Sequence, residues 1–491
     1  MSSDAYDQVI IDIQEYVCHY EITSPKAWRN ARTALLDAIG CAIETVATST
    51  ECKSMLGPVV PGSSIPCGFR LPGTSFILDP VKGSFDMATA IRYLDHNDAI
   101  AGADWGHPSD NLGAILAVAD WIYQSEQAGV YTHRGPALTI KTVLIALIKA
   151  YEIQGCMLLR NAFNQYGLDH VILVKLASTA VTAWLMGLSI PQIRAAISQV
   201  WMDGHALRVY RQKGNTIPRK GWAAGDACMK ATHLALLTRA GQPGSPTPLT
   251  MPRWGFYANS FGGKTFDLPK KYGSWVVENI IFKIAPIEGH GLSSVQAAME
   301  HLKAFRPDTG SVEDIERIMV RTNAATDLII NKTGPLHNAA DRDHCLQFLI
   351  ALTFLKGAYP EAADFLDSSV WSHNPDIDRL RDKVEVIVDD QLTAAYMDLD
   401  VKSLATGMTL QMKDGALTDE ILVHFPIGHG KNPATAQAVH AKFEANMRHM
   451  FTMEEIQEIR GMVESTSSEV LPISRLMDRL VRPKVQGCPR L

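Results

Sequence analysis

The sequence predicts a mainly α protein, a large all-helical domain interrupted by a smaller α+β segment. Three observations predict it. Apolar residues recur at helical spacing through roughly the first 240 residues. Beyond about residue 278 they alternate with polar ones, as on half-buried strands. From about residue 435 the helical spacing returns.

In chain order, Ser24-Pro25 opens the first helix, a capping hydroxyl followed by proline at the first helical position. Leu35, Leu36, Ile39 and Ile43 then fall on one face. Further helical runs are predicted at 112–123, 139–154, 170–188, 191–201 and 223–240. Several are apolar nearly all round, as expected where helices pack in more than one layer. Residues 241–256, GQPGSPTPLTMPRWGF, are too rich in proline and glycine to continue the pattern. In the next segment Ile318, Val320 and Thr322 alternate with charged or flexible neighbours, and Val384, Val386 and Val388 do the same. Leu410 and Met412, then Asp414-Gly415, then Ile421, Val423 and Phe425 read as a hairpin. A helix is predicted over 341–356, and others from Thr435 and over 453–464. The divisions are therefore 1–277, 278–430 and 431–491, the last returning to the helical domain.

Composition narrows the function classes. The chain has 491 residues, 46% hydrophobic and 20% charged, which excludes low-complexity disorder. A net charge of −6 disfavours nucleic acid or an anionic membrane as partner. An anionic ligand must then be held by a local cationic cluster. Eight cysteines without a C-x-x-C pair give no support to structural zinc or an iron–sulfur cluster. Residues 172–190 approach membrane-spanning length, but Lys175 and several hydroxyls make a buried soluble helix the expectation. The acidic N-terminus argues against secretion, and it lacks the look of a mitochondrial presequence. Pro489-Arg490-Leu491 weakly resembles a peroxisomal address. The expectation is a soluble intracellular protein, cytoplasmic first, with peroxisome and mitochondrion as alternatives.

The densest polar constellation runs from Arg92 to Asn111 and holds Asp95, His96, Asp98, Asp104, His107 and Asp110. Spacing alone leaves open a solvated, helix-capping loop. The chemical reading is an acid–base site in which Asp95 orients or tunes His107. A metal is not expected, since no regular ligand spacing is present. A second feature is the basic run Arg208, Arg211, Lys213, Arg219 and Lys220, followed by Trp222. It is either an exposed loop or a pocket for a ligand with several carboxylates. Gly167-Leu168-Asp169-His170 heads an apolar helix, where a capping Asp and a core His is the plain reading. Lys283 lies between apolar neighbours and either reaches solvent or projects into a cavity. Asp341-Arg342-Asp343-His344 reads as an ion-pair network at a helix start.

Together these segments resemble the MmgE/PrpD family of 2-methylcitrate dehydratases and cis-aconitate decarboxylases. The blocks that carry the resemblance are WGHPSDNLG (105–113), EIQGC (152–156), GLDHV (167–171), GWAAGDA (221–227), GPLHNAADRDHC (334–345) and PIGH (426–429). They are closest to the 2-methylcitrate dehydratase branch. The resemblance implies a homodimer, a large helical domain with a smaller α+β lid, a site between the two, and no metal or cofactor. It places the pocket on Asp95, His107, His170, Lys220 and Lys283. Expected substrate contacts are Arg208, Arg211, Ala99, Ile100, Gly289, His290 and His337.

Two departures bear on the substrate. Ala99-Ile100-Ala101 stands where the dehydratases carry Thr-Trp-Leu, and Gly289 stands where they carry a bulky aromatic. If those positions line the pocket, there is room for more hydrocarbon than a methyl group, at about 0.8 kcal/mol per buried methylene. The function expected is a cofactor-independent hydro-lyase that dehydrates a 2-alkylcitrate to the alkyl-cis-aconitate, as in fungal maleidride-type secondary metabolism. The alternatives are a housekeeping 2-methylcitrate dehydratase, a cis-aconitate decarboxylase and a non-catalytic scaffold. Against the decarboxylase, Ile329 and Ile330 stand where those enzymes tend to have a tyrosine.

Overall fold

A computed structural model describes residues 6–211, 216–305 and 311–482. Lys213 of the basic run and the tripeptide 489–491 lie outside the described residues. The fold is mainly α, as predicted. The expected helices are Pro25–Thr48, Leu112–Gln127, Ile140–Leu158, Val171–Leu185, Ile190–Met202 and Arg219–Arg239. The capping logic holds locally: the Ser24 hydroxyl accepts from the Ala27 N–H at 3.3 Å, and Thr139 caps Ile140–Leu158 through Thr142. Ile140–Leu158 and Val171–Leu185 are buried on almost every side, which explains why their sequences lack a polar face. Among the described residues no helix is long and apolar enough to cross a membrane.

Several helices were not anticipated, among them Gln8–His19, Pro80–Arg92 and Leu292–Ala304. Pro80–Arg92 matters most, because it delivers Arg92 and the turn that follows. Asp79 caps it through Val81 and Lys82, but Gly83, Ser84 and Thr89 dilute its apolar period. Those small residues serve close packing instead. It lies so near Arg219–Arg239 that a Cβ on Gly225 would sit 2.2 Å from Thr89 Oγ1 and 2.7 Å from the Phe85 carbonyl.

Buried apolar side chains form two large clusters. The first joins the helices above and takes in Phe443, Met447, Ile459 and Leu476 from the C-terminal helices Thr435–Met447, Met453–Glu464 and Ile473–Leu480. The second runs from Ile281 to Val423 and includes Ala99, Ala101 and Trp105. It is built on a four-stranded sheet ordered Val384–Val388, Ile315–Thr322, Thr406–Met412, Ile421–Val423. The first pair is parallel and the other two antiparallel. Ile315, Ile318 and Val320 share this cluster with buried residues of the helices Leu292–Ala304 and Leu346–Lys356. Arg317 and Arg321, on the other face, pair with Glu385, Glu420 and Asp389. The turn between the last two strands falls at Asp414-Gly415, with Gly415 at φ 88°, as its sequence predicts.

The helix expected over 341–356 is broken. Ala339–Arg342 ends, three residues depart, and Leu346–Lys356 begins after Cys345 in an extended conformation. That break presents Asp343 and His344 to the rest of the protein as a continuous helix would not.

Candidate active site

The Pro80–Arg92 helix ends in a tight turn that holds Asp95 at φ 57°, a left-handed conformation that aspartate tolerates better than most residues. Three buried cations converge on its carboxylate. Arg92 pairs with Oδ1, Lys283 Nζ donates to Oδ1 at 2.6 Å and to the Asp95 carbonyl at 2.9 Å, and Lys220 Nζ donates to Oδ2 at 2.9 Å. Burial alone would raise the Asp95 pKa. Arg92, Lys220 and Lys283 outweigh it and hold the carboxyl well below the ordinary carboxylate range.

Lys220 is shared. It also donates to both Asp343 oxygens, at 2.9 and 2.7 Å, and lies 3.3 Å from His344 Nδ1. Asp95, Asp343 and His344 offer ligand atoms within 4.8 Å of one another, the geometry of a small cation site. The ammonium of Lys220 already bonds all three, so a metal ion there would compete with a fixed protein cation. The backbone behind this cluster is pinned from the C-terminal helix. Lys442, buried and paired with Asp37 at 2.7 Å, donates to the carbonyls of His96 at 2.5 Å and Lys283 at 2.7 Å.

His107 follows the short strand Trp105–Gly106, which pairs with Ile100–Ala101. Its Nδ1 lies 2.8 Å from the Asp98 carbonyl and so carries the proton there. Nε2 is then the acceptor, 2.9 Å from Arg92 Nη2. Asp95 was expected to orient His107; instead Arg92 stands between them, bonded to both. Burial, then the charges of Arg92 and Lys283, push the His107 pKa well below the ordinary histidine value. Asp98 is itself buttressed by the Tyr151 hydroxyl at 2.5 Å and the Ser109 N–H at 3.0 Å.

His170 stands next to His107, ring centroids 5.7 Å apart. Its Nδ1 is buried without a hydrogen-bond partner among the described residues. Burial holds its pKa well below the ordinary value, and Asp169 only partly offsets this. Asp169 caps the following helix through Val171 at 3.1 Å and takes the Arg211 guanidinium at 2.7 Å. Arg211 Nη2 reaches the Lys220 carbonyl at 3.2 Å. Arg208 Nη1 lies 3.7 Å from Asp104. Arg208, Arg211 and Lys220 of the basic run are therefore drawn inward rather than left on an exposed loop.

The structure thus brings Asp95, His107, His170, Lys220, Lys283 and Arg211 to one buried seam between the two apolar clusters. It adds Arg92, Asp343 and His344. The remaining expected contacts divide. Ala99 packs with Ala101 and Trp105 in the second cluster, whereas Ile100 turns into the helical core. His290 lies against Trp105, ring centroids 4.3 Å apart, with Glu288 at 3.0 Å from Nδ1 and the Tyr396 hydroxyl at 3.2 Å from Nε2. His337 is exposed, and its backbone N–H donates to Asp341 at 3.3 Å. The space expected beside Gly289 is filled: a Cβ there would lie 2.2 Å from the Trp105 indole. Gly289→Phe should therefore displace Trp105 and cost about 1–3 kcal/mol, read as a lowered midpoint in thermal unfolding.

Comparison with known proteins finds two family domains along the chain. Residues 11–269 match the MmgE/PrpD N-terminal domain and residues 286–467 the MmgE/PrpD C-terminal domain. The chain is 53% identical to alkylcitrate dehydratase phiI of a fungal species, covering 100% of this chain and 96% of that one. It is 50% identical to the 2-methylcitrate dehydratase-like protein oryR of Aspergillus oryzae, over 97% and 96%. It is 43% identical to the 2-methylcitrate dehydratase of Escherichia coli, over 97% and 98%. With both domain models matched in order and full-length relatives at this identity, the chain belongs to the MmgE/PrpD family.

Proposed function

We propose that the protein is a hydro-lyase that dehydrates a 2-alkylcitrate to the alkyl-cis-aconitate. The observation that carries the reading is the convergence of Lys220, Lys283, Arg92 and Arg211 with two neutral imidazoles at one buried seam. Dehydration breaks a C–H bond alpha to a carboxylate and the C–O bond of a tertiary hydroxyl. A C=C bond forms, the proton goes to a protein base, and the hydroxyl leaves with a proton as water. Negative charge builds on a substrate that is already a tricarboxylate, so preorganised cations provide the largest stabilisation. In this reading a substrate carboxylate takes the place that Asp343 holds on Lys220, and Lys283 and Arg211 bind the others. His107 and His170 exchange the protons. Residues 278–430 act as a lid over the helical domain, and the protein works as a homodimer.

The fungal relative named alkylcitrate dehydratase phiI supports a 2-alkylcitrate substrate not restricted to methyl, whereas the name of oryR points to 2-methylcitrate. Ala99 and Ala101 beside Trp105 leave small side chains near the seam. A second reading, 2-methylcitrate dehydratase itself, is favoured by the tight contact of Gly289 with Trp105, which leaves no space at that position. Chelator-treated protein given methylcitrate, hexylcitrate and cis-aconitate separates them, with alkene absorbance and carbon dioxide followed together. Faster turnover of hexylcitrate is expected. Exclusive use of methylcitrate would move the assignment to the second reading, and carbon dioxide release would move it to a decarboxylase.

A further inference from the structure

A second concave site lies away from the seam. A cavity of about 750 Å³ opens between the start of the Pro25–Thr48 helix, the first half of Ile140–Leu158, the end of Val171–Leu185 and the loop carrying Thr466 and Glu469. That volume lies within the range of small-molecule sites. Its walls are aromatic and apolar at Tyr20, Ile22, Trp28, Ile145 and Trp184.

The charges around it are unevenly satisfied. Four cations, Arg29, Arg32, Lys141 and Lys149, face two carboxylates, Glu21 and Glu469. Glu469 is already committed, paired with Arg32 and 3.6 Å from Lys141. Lys149 is the unusual member. It is 3% exposed, yet among the described residues its ammonium makes one hydrogen bond, to the Val17 carbonyl at 2.7 Å. It otherwise lies over the Trp184 ring, 5.2 Å from the centroid. An ammonium has three donors, and a buried one left short of acceptors is costly. The Arg32 Nε is likewise buried without a partner among the described residues. Arg29 is exposed at the rim, with no ion pair among the described residues.

We propose that this cavity binds a small organic carboxylate with an apolar or aromatic body, at a site separate from the reaction seam. The carboxylate supplies the acceptors that Lys149 lacks, Arg29 closes over it from the rim, and the body lies against Trp28, Trp184 and Ile145. Two uncommitted cations suit a single carboxylate better than a multiply charged phosphate. The aromatic walls suit a hydrocarbon body better than a hydroxylated one.

Octanoate is a suitable probe, titrated into the full-length protein while tryptophan emission and heat are followed, since two tryptophans line the site. Saturable binding is expected, with octanol and inorganic phosphate each at least about tenfold weaker. Lys149→Met should weaken octanoate by about tenfold. Arg29→Glu, at an exposed position that leaves folding intact, should weaken it by at least about threefold. Neither should change dehydratase turnover measured without octanoate. Absence of saturation below about 10 mM would overturn the proposal. So would octanol binding as well as octanoate, or unchanged octanoate affinity in Arg29→Glu.

Discussion

Asp95→Asn should abolish measurable turnover and lower the thermal unfolding midpoint at neutral pH by about 3 °C, the equivalent of roughly 3 kcal/mol for a chain of this length. The size follows from what the carboxylate neutralises. Arg92, Lys220 and Lys283 are all buried and all bonded to it. An amide can accept a hydrogen bond but cannot offset three charges, and buried cations left without a counter-charge are among the most destabilising changes available. The pH dependence has a definite sign. The Asp95 pKa is depressed in the folded protein, against burial, by Arg92, Lys220 and Lys283. Its stabilisation is therefore fully present above the unfolded carboxyl pKa and is lost as pH falls toward the folded value. The midpoint difference between wild type and Asp95→Asn should be constant from about pH 8 to pH 5 and shrink below about pH 4. An unchanged midpoint at pH 7 would show that the three cations are held by other groups.

The parts of this site legible in the sequence were those whose evidence is local. Period-two alternation at Ile318, Val320 and Thr322 reports burial of one sheet face, and each residue's neighbours suffice to reveal it. The acids and histidines between Asp95 and Asp110 are conspicuous by density, and Lys283 by its apolar flanks. Contacts between distant segments were not legible. Asp343 and His344 read as a helix-start network because nothing within ten residues shows that Lys220 will lie between them and Asp95. The helix break that turns them toward Lys220 lies just before Leu346 and Phe348, which pack in the second cluster. Arg92 was visible as the start of the polar run, but its role was not, because it ends a helix whose glycine, serine and threonine serve close packing rather than period. The small residue at 289 suggested empty space, but cavity volume is set by what faces a position, and there Trp105 faces it.

His107→Gln should lower turnover by about 10²-fold or more while leaving the unfolding midpoint near that of the wild type. With Nδ1 committed to the Asp98 carbonyl, Nε2 is the one lone pair that can take a proton, and Arg92 holds it in the substrate-free protein. A bound carboxylate that draws Arg92 toward itself would release that lone pair next to the carbon acid, so binding and base activation become one event. Glutamine keeps a polar atom near Arg92 but has no lone pair basic enough to accept a carbon-bound proton. Burial first, then Arg92 and Lys283, keep the imidazole neutral well below its ordinary titration range. A base fails only when pH falls below its own pKa. The ratio of wild-type to variant kcat/KM, in which the substrate's own ionisation cancels, should therefore stay level from about pH 8 to about pH 6 and decline only in more acidic solution. A ratio near one would remove His107 from proton transfer. A ratio that falls through the ordinary histidine pKa would mean that the ring is solvated in the working enzyme, which its place between Asp98, Arg92 and His170 does not allow.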